Sequence, residues 1–134
     1  MSVTLVDSNV LLDIATEDPT WCGWSEQALT DAADTDHLAI NPIIYAEVSV
    51  GFPTIEELDD SLPPDTFARL PLPYDAGFLA GKAFVDYRRR GGARATPLPD
   101  FYIGAHAAIE GFRLLTRDAA RYRTYFPTVD IIAP

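Results

Sequence analysis

The sequence predicts an α/β fold built on a mostly parallel sheet of four to five strands. Three observations carry that expectation. Short apolar runs recur along the chain, separated by longer helical patterns, the alternation that produces parallel sheets. Those runs are apolar throughout, as strands covered on both faces are. At 134 residues and 48% hydrophobic content, residues 1–134 suit one domain. A chain of that size buries roughly two-thirds of the surface its unfolded form exposes.

Each element has a local reason. "VTLVD" (3–7) is a β-branched apolar run and reads as the first buried strand. "SNVLLDIA" (8–15) then opens with Ser8 and Asn9, residue types that favour helix N-caps. "GWSEQALTDAA" (23–33) reads as a helix and "HLAI" (37–40) as the second buried strand. In "NPIIYAEVSVG", Asn41 is placed as an N-cap, Pro42 in the first turn and Gly51 as the stop. "TIEELDDSL" (54–62) is a short acidic helix ended by Pro63 and Pro64. "FARLPL" (67–72) is the weakest strand, because Pro71 has no N–H to give a ladder. "YDAGFLAGKAFVDYRRR" (74–90) is a long helix stopped by Gly91 and Gly92. Beyond Pro97, "PDFYIGAHAAIEG" (99–111) is the next helix. "RLLT" (113–116) is a strand, "RDAARYRTY" (117–125) a short helix or turn, and "VDIIAP" (129–134) the last strand.

Composition excludes several classes. No apolar run approaches the ~18 residues of a membrane span, and "MSVTLVD" lacks the basic start of a signal peptide. Cys22 is the single cysteine, which excludes an internal disulfide and fits a reducing compartment. The expectation is a soluble cytoplasmic protein with no membrane partner. The formal charge of −10 argues on average against a polyanionic partner. Its distribution matters more. Residues 1–66 hold 14 acids and no Lys or Arg, whereas residues 67–134 hold all 10 basic residues against 6 acids. Such asymmetry marks either a polyanion-facing side or solvated helix faces.

The acids point to one edge. Ligands of parallel sheets collect beyond the carboxyl ends of the strands. Asp7 ends the first strand and Asp118 lies just past strand 113–116. Asp100 begins helix 99–111, whose N-terminus faces the same edge. Glu47 stands about 6 residues past the second strand, roughly 8–9 Å along its helix. Asn9 and Thr116 are near enough in sequence to add neutral oxygens. Like charges this close require a counter-charge, and oxygen ligands suit a hard divalent cation, Mg²⁺ or Mn²⁺. Such an ion polarises phosphate and lowers the pKa of water.

"DSNVLLD", "YAEV", "LPDFYIGAHA" and "LLTRDAARYRTYFP", in this order and spacing, resemble the PIN-domain ribonucleases over nearly the whole chain. More narrowly, they resemble the VapC-type toxins of VapBC toxin–antitoxin modules. The resemblance implies a PIN-like three-layer α/β/α sandwich and a metal-dependent endoribonuclease. Its acidic quartet is Asp7, Glu47, Asp100 and Asp118, with Asp7, Asp100 and Asp118 as metal ligands. Asn9 and Thr116 match the supporting polar positions. It also implies an RNA substrate, a VapB-like antitoxin and a toxin homodimer. Residues 52–73 match no motif of the family.

Other residues read more simply. Asp13 is second-layer or structural, and His37 and His106 are not catalytic. His106 and the glycines of "GAHAAIEG" suggest close helix packing. Trp21 and Trp24 suit a core or a partner contact better than base stacking. "RRRGG" is first a solvated helix end, and second a place where Arg88, Arg89, Arg90 and Arg94 touch RNA phosphates. Two other classes compete. A haloacid-dehalogenase-like phosphatase wants Asp-x-Asp after the first strand and a downstream Lys; here Asn9 takes the third place and Lys82 lies inside a helix. A receiver domain fails similarly. A PIN-like module that binds RNA or a partner without cutting is the alternative from a non-enzymatic class.

Overall fold

The computed structural model describes residues 2–134. Five strands form one sheet: β1 (Val3–Val6), β2 (His37–Ile40), β3 (Phe67–Arg69), β4 (Arg113–Leu115) and β5 (Ile131–Ile132). Their spatial order is β3-β2-β1-β4-β5 and every pairing is parallel. Seven helices flank the sheet: α1 (Ser8–Ala15), α2 (Cys22–Thr35), α3 (Pro42–Ser49), α4 (Ile55–Ser61), α5 (Tyr74–Arg89), α6 (Pro99–Glu110) and α7 (Ala120–Tyr125). The arrangement is the α/β/α sandwich that the alternation of strands and helices predicts.

Sheet order decides where a site forms. The chain leaves β1 for β2 on one side and later reaches β4 on the other, so the carboxyl end of β1 is a topological switch point. Thr4, Leu5 and Val6 are buried, the reason their run carries no alternation. Asp7 follows them, with its backbone N–H bonded to the Leu115 carbonyl at 2.9 Å.

Several boundaries moved for identifiable reasons. The N-cap of α1 is Asp7 itself, its carboxylate accepting from the Ser8 N–H at 2.7 Å, rather than Ser8 or Asn9. β3 is shorter than residues 67–72. Leu70 still donates to the Ile40 carbonyl at 2.9 Å, and Pro71 then ends the ladder. Residues 52–73 are structural here: Asp59 of α4 accepts from Tyr45 at 2.8 Å and from Arg69 at 2.9 Å, tying α3 to β3.

Packing around α6 bears most directly on the site. Phe101, Ile103, Gly104, Ala105, His106 and Ala107 are buried, so this helix is core on most sides. Gly104 allows a close approach: a Cβ there would collide with the Phe126 ring and stand 3.0 Å from Tyr122 Cδ1. Gly111 closes the helix in the left-handed region at φ 70°. His106 packs as expected. Its Nδ1 lies 2.9 Å from Asn41 Nδ2, and the Asn41 Oδ1 accepts from the Ile44 N–H at the start of α3. The amide must be the donor, so His106 carries its proton on Nε2. Burial pushes its pKa below the usual 6.5, which suits that neutral form.

Candidate acidic site

Three acids of the predicted quartet come together, and Asp7 is their hub. Its side chain is buried at the end of β1, 3% exposed. Asp7 Oδ1 accepts from the Ser8 N–H at 2.7 Å, with Ser8 Oγ at 3.4 Å. The same Ser8 hydroxyl donates to Glu47 Oε1 at 3.0 Å, joining α3 to the hub. Asp7 Oδ2 accepts from Thr116 Oγ1 and from the Tyr122 hydroxyl, both at 2.9 Å. Tyr122 also stands 3.3 Å from Asp100 Oδ1, joining the first turn of α6. One hydroxyl on each oxygen of Asp7 thus links it to a second carboxylate.

Asn9 and Thr116 lie against the Asp7 hub. Asn9 Nδ2 reaches Thr116 Oγ1 at 3.2 Å and Asp7 Oδ2 at 3.4 Å, while Asn9 Oδ1 accepts from the Arg117 N–H at 3.1 Å. Arg117 anchors that turn. Its guanidinium grips Asp13 through two bonds of 2.8 and 3.0 Å and lies over the Trp21 ring. Ser25 donates to the same Asp13 at 2.9 Å. Asp13 and Trp21 are therefore structural.

Asp118 differs. Its side chain is exposed, and it joins the site by its backbone: its N–H donates to Thr116 Oγ1 at 3.2 Å. Position past a strand end put it at the right edge but did not fix where its side chain points. Among the described residues, no three His, Cys, Asp or Glu side chains are gathered closely enough to hold one ion. The hydroxyls of Ser8 and Tyr122 fill the gaps between the carboxylates, and Arg121 pairs with Asp100 Oδ2 at 3.3 Å on the exposed rim.

Charge at the site is under-compensated. Burial raises the Asp7 pKa above the usual 3.8 and the Asp100 charge adds to it, against the hydrogen bonds from Tyr122, Thr116 and Ser8. Burial likewise raises Glu47, with smaller pushes from Asp7 and Asp100. Tyr122 is held well above its usual 10 by burial and by the same acids, so it remains a donor. The facing donors are oxygens: carboxylates, hydroxyls and an amide. That set, carrying excess negative charge, fits a hard divalent cation and would not select a soft one.

Sequence reasoning missed Ser8 and Tyr122. Ser8 read as a capping residue. Tyr122 left one usable signal: with Phe126 it forms an i, i+4 pair that would bury both, and a buried tyrosine hydroxyl needs a partner. The arginines divide. Arg88 donates to the Gly92 and Arg94 carbonyls, and Arg90 pairs with Asp86 and lies over Tyr125, so both hold the loop after α5. Arg89 and Arg94 are exposed, with no ion pair among the described residues.

The PIN-domain family profile matches residues 4–127. The chain is similar to VapBC2 from Rickettsia felis bound to a promoter DNA fragment, with a TM-score of 0.75 at 17% identity over 98% of each chain. A toxin–antitoxin complex from Klebsiella pneumoniae gives a TM-score of 0.70 at 22% identity over 96% of this chain and 95% of that one. FitAcB from Neisseria gonorrhoeae gives 0.67 at 18% identity over 96% of both. No curated protein matches by sequence.

Proposed function

The chain belongs to the PIN-domain family, and from that premise we propose that it is a metal-dependent endoribonuclease, the toxin component of a type II toxin–antitoxin pair. One observation carries the reading. Carboxylates from three elements, Asp7, Glu47 and Asp100, meet at the carboxyl end of the central strand, linked through Ser8 and Tyr122.

In this reading Asp7, Asp100 and Asp118 hold Mg²⁺ or Mn²⁺, with Glu47 as a further ligand or as the base that positions water. When bound, such an ion supplies Lewis acidity toward a phosphoryl oxygen and a lowered pKa for water. The protein supplies placement. Thr116 and the Ser8 N–H orient the two oxygens of Asp7, and Asn9 and Arg117 fix the Thr116 turn. Burial lifts Glu47 toward neutral pH, the direction that favours accepting a proton from water at its carboxylate. The water oxygen would bond to phosphorus as the P–O3′ bond breaks, with the water's proton passing to Glu47 and a solvent proton reaching the departing O3′. The fragments carry a 5′-phosphate and a 3′-hydroxyl.

Arg89, the last residue of α5, and Arg94, on the loop that leads into α6 and Asp100, would meet phosphates of the RNA, with Arg88 and Arg90 shaping that loop. A VapB-like antitoxin is the expected partner, supported by the toxin–antitoxin complex from Klebsiella pneumoniae. A homodimer and a cytoplasmic location complete the proposal. No helix among the described residues is long and apolar enough to cross a membrane.

The rival module that binds RNA or a partner without cutting draws on the absence, among the described residues, of three acids gathered for one ion. End-labelled RNA incubated with the protein and Mn²⁺, with and without EDTA, separates the two. Cleavage that EDTA stops, giving 5′-phosphate ends, supports the nuclease. Cleavage that survives EDTA, or 2′,3′-cyclic phosphate ends, would overturn the mechanism, and intact RNA under both conditions would favour the module.

A further inference from the structure

We propose that the Tyr122 hydroxyl is a positioning group that holds Asp7 and Asp100 at the separation a shared cation requires; this rests on the metal-site reading above. Tyr122 is 1% exposed, and its ring is fixed against α6 where Gly104 permits close approach. A phenylalanine would fill that space equally well. The hydroxyl is therefore not demanded by packing, and burying it is unfavourable unless it is bonded. Its one proton is shared between two carboxylates that repel each other, Asp7 Oδ2 at 2.9 Å, the shorter bond, and Asp100 Oδ1 at 3.3 Å.

The choice of oxygens separates positioning from competition. Tyr122 takes Oδ2 of Asp7 and Oδ1 of Asp100. That leaves Asp7 Oδ1, whose short bond is from the Ser8 N–H at 2.7 Å, and Asp100 Oδ2, whose contact is the exposed Arg121 at 3.3 Å. Each acid keeps a second oxygen for a cation while Tyr122 holds the first. Without the hydroxyl, no side chain among the described residues bridges Asp7 to Asp100. Asp100, half-buried at the start of α6, would then turn outward toward Arg121 and solvent.

Mn²⁺ titration of metal-stripped protein tests this, reading free ion by electron paramagnetic resonance for wild type and Tyr122→Phe. Circular dichroism would first establish that the variant is folded. We expect affinity to fall about 10–100-fold, as when groups orienting metal ligands are removed. In an Asp100→Asn background the same substitution should change affinity less than about threefold, because the bridge has already lost its charged partner. A merely structural tyrosine would change stability and leave the affinity of folded protein alone. Loss smaller than tenfold, tighter binding, or an equal loss in the Asp100→Asn background would overturn the inference. Wild type that binds no Mn²⁺ would overturn the metal-site reading itself, a distinguishable failure.

Discussion

Replacing Asp7 by Asn removes a buried charge without changing its shape, and it should stabilise the ion-free protein at neutral pH. The sign follows from the raised pKa. Below the usual 3.8, both folded and unfolded states hold the proton. As pH rises from there through the folded value, the folded state keeps a proton that the unfolded chain has released, so stability falls. Above that value the deficit is constant. Asn has no such deficit. Because Tyr122 reaches one oxygen at 2.9 Å and the other at 3.3 Å, Asp7 and Asp100 lie within about 6 Å and repel by roughly 3 kcal/mol at an effective dielectric of about 20. Weakening three charge-assisted hydrogen bonds offsets about that much. Relief from burying the charge remains, on the order of 1–2 kcal/mol in favour of Asn. For 134 residues that raises the melting temperature by roughly 4–7 °C. Mn²⁺ at 100 times its Kd should add about 2.7 kcal/mol, roughly 10 °C, to wild type and much less to Asp7→Asn. The two melting curves should therefore exchange order between EDTA and Mn²⁺ at about pH 7.5, and their gap in EDTA should close near pH 4. An Asp7→Asn protein less stable than wild type in EDTA at the higher pH, or equally stabilised by Mn²⁺, would refute the reasoning.

Other consequences are more local. Gly104→Ala would drive a methyl against Phe126 and Tyr122, costing about 1–3 kcal/mol by overpacking, visible as a lower denaturation midpoint. Arg117→Met leaves the buried Asp13 with Ser25 alone and should cost about 2–4 kcal/mol; Arg117→Lys should recover only part, since one ammonium cannot replace the two-pronged grip. His106, with its pKa lowered by burial, contributes stability that is present above pH 6.5 and lost as pH falls toward its folded value. His106→Gln should flatten that slope in chemical denaturation below about pH 6.5, whatever its effect at higher pH.

Much of the fold was legible because the signals are local. Unalternating apolar runs marked β1 and β2, and Gly91 and Pro71 marked stops that the backbone respects. What failed to show depends on direction and distance. Arg117 and Asp13 meet across 104 positions, and no pattern in either neighbourhood announces the other. Asp118 illustrates a second limit: a strand end gives the edge, whereas the turn's dihedral angles decide where the side chain points. Tyr122 illustrates a third. Its ring reads as core from spacing alone, but the hydroxyl's acceptors depend on how α7 sits against α6, which Gly104 sets.

The metal-site reading has Asp7, Asp100 and Asp118 holding one divalent cation, with Glu47 as a further ligand or base, and anomalous scattering from a crystal soaked in Mn²⁺ locates that ion. A peak is expected beside Asp7 and Asp100, within about 2.0–2.6 Å of an oxygen from each, at the carboxyl end of β1. A peak bound elsewhere, or none at saturating Mn²⁺, with Tyr122 still joining the two acids, would contradict it.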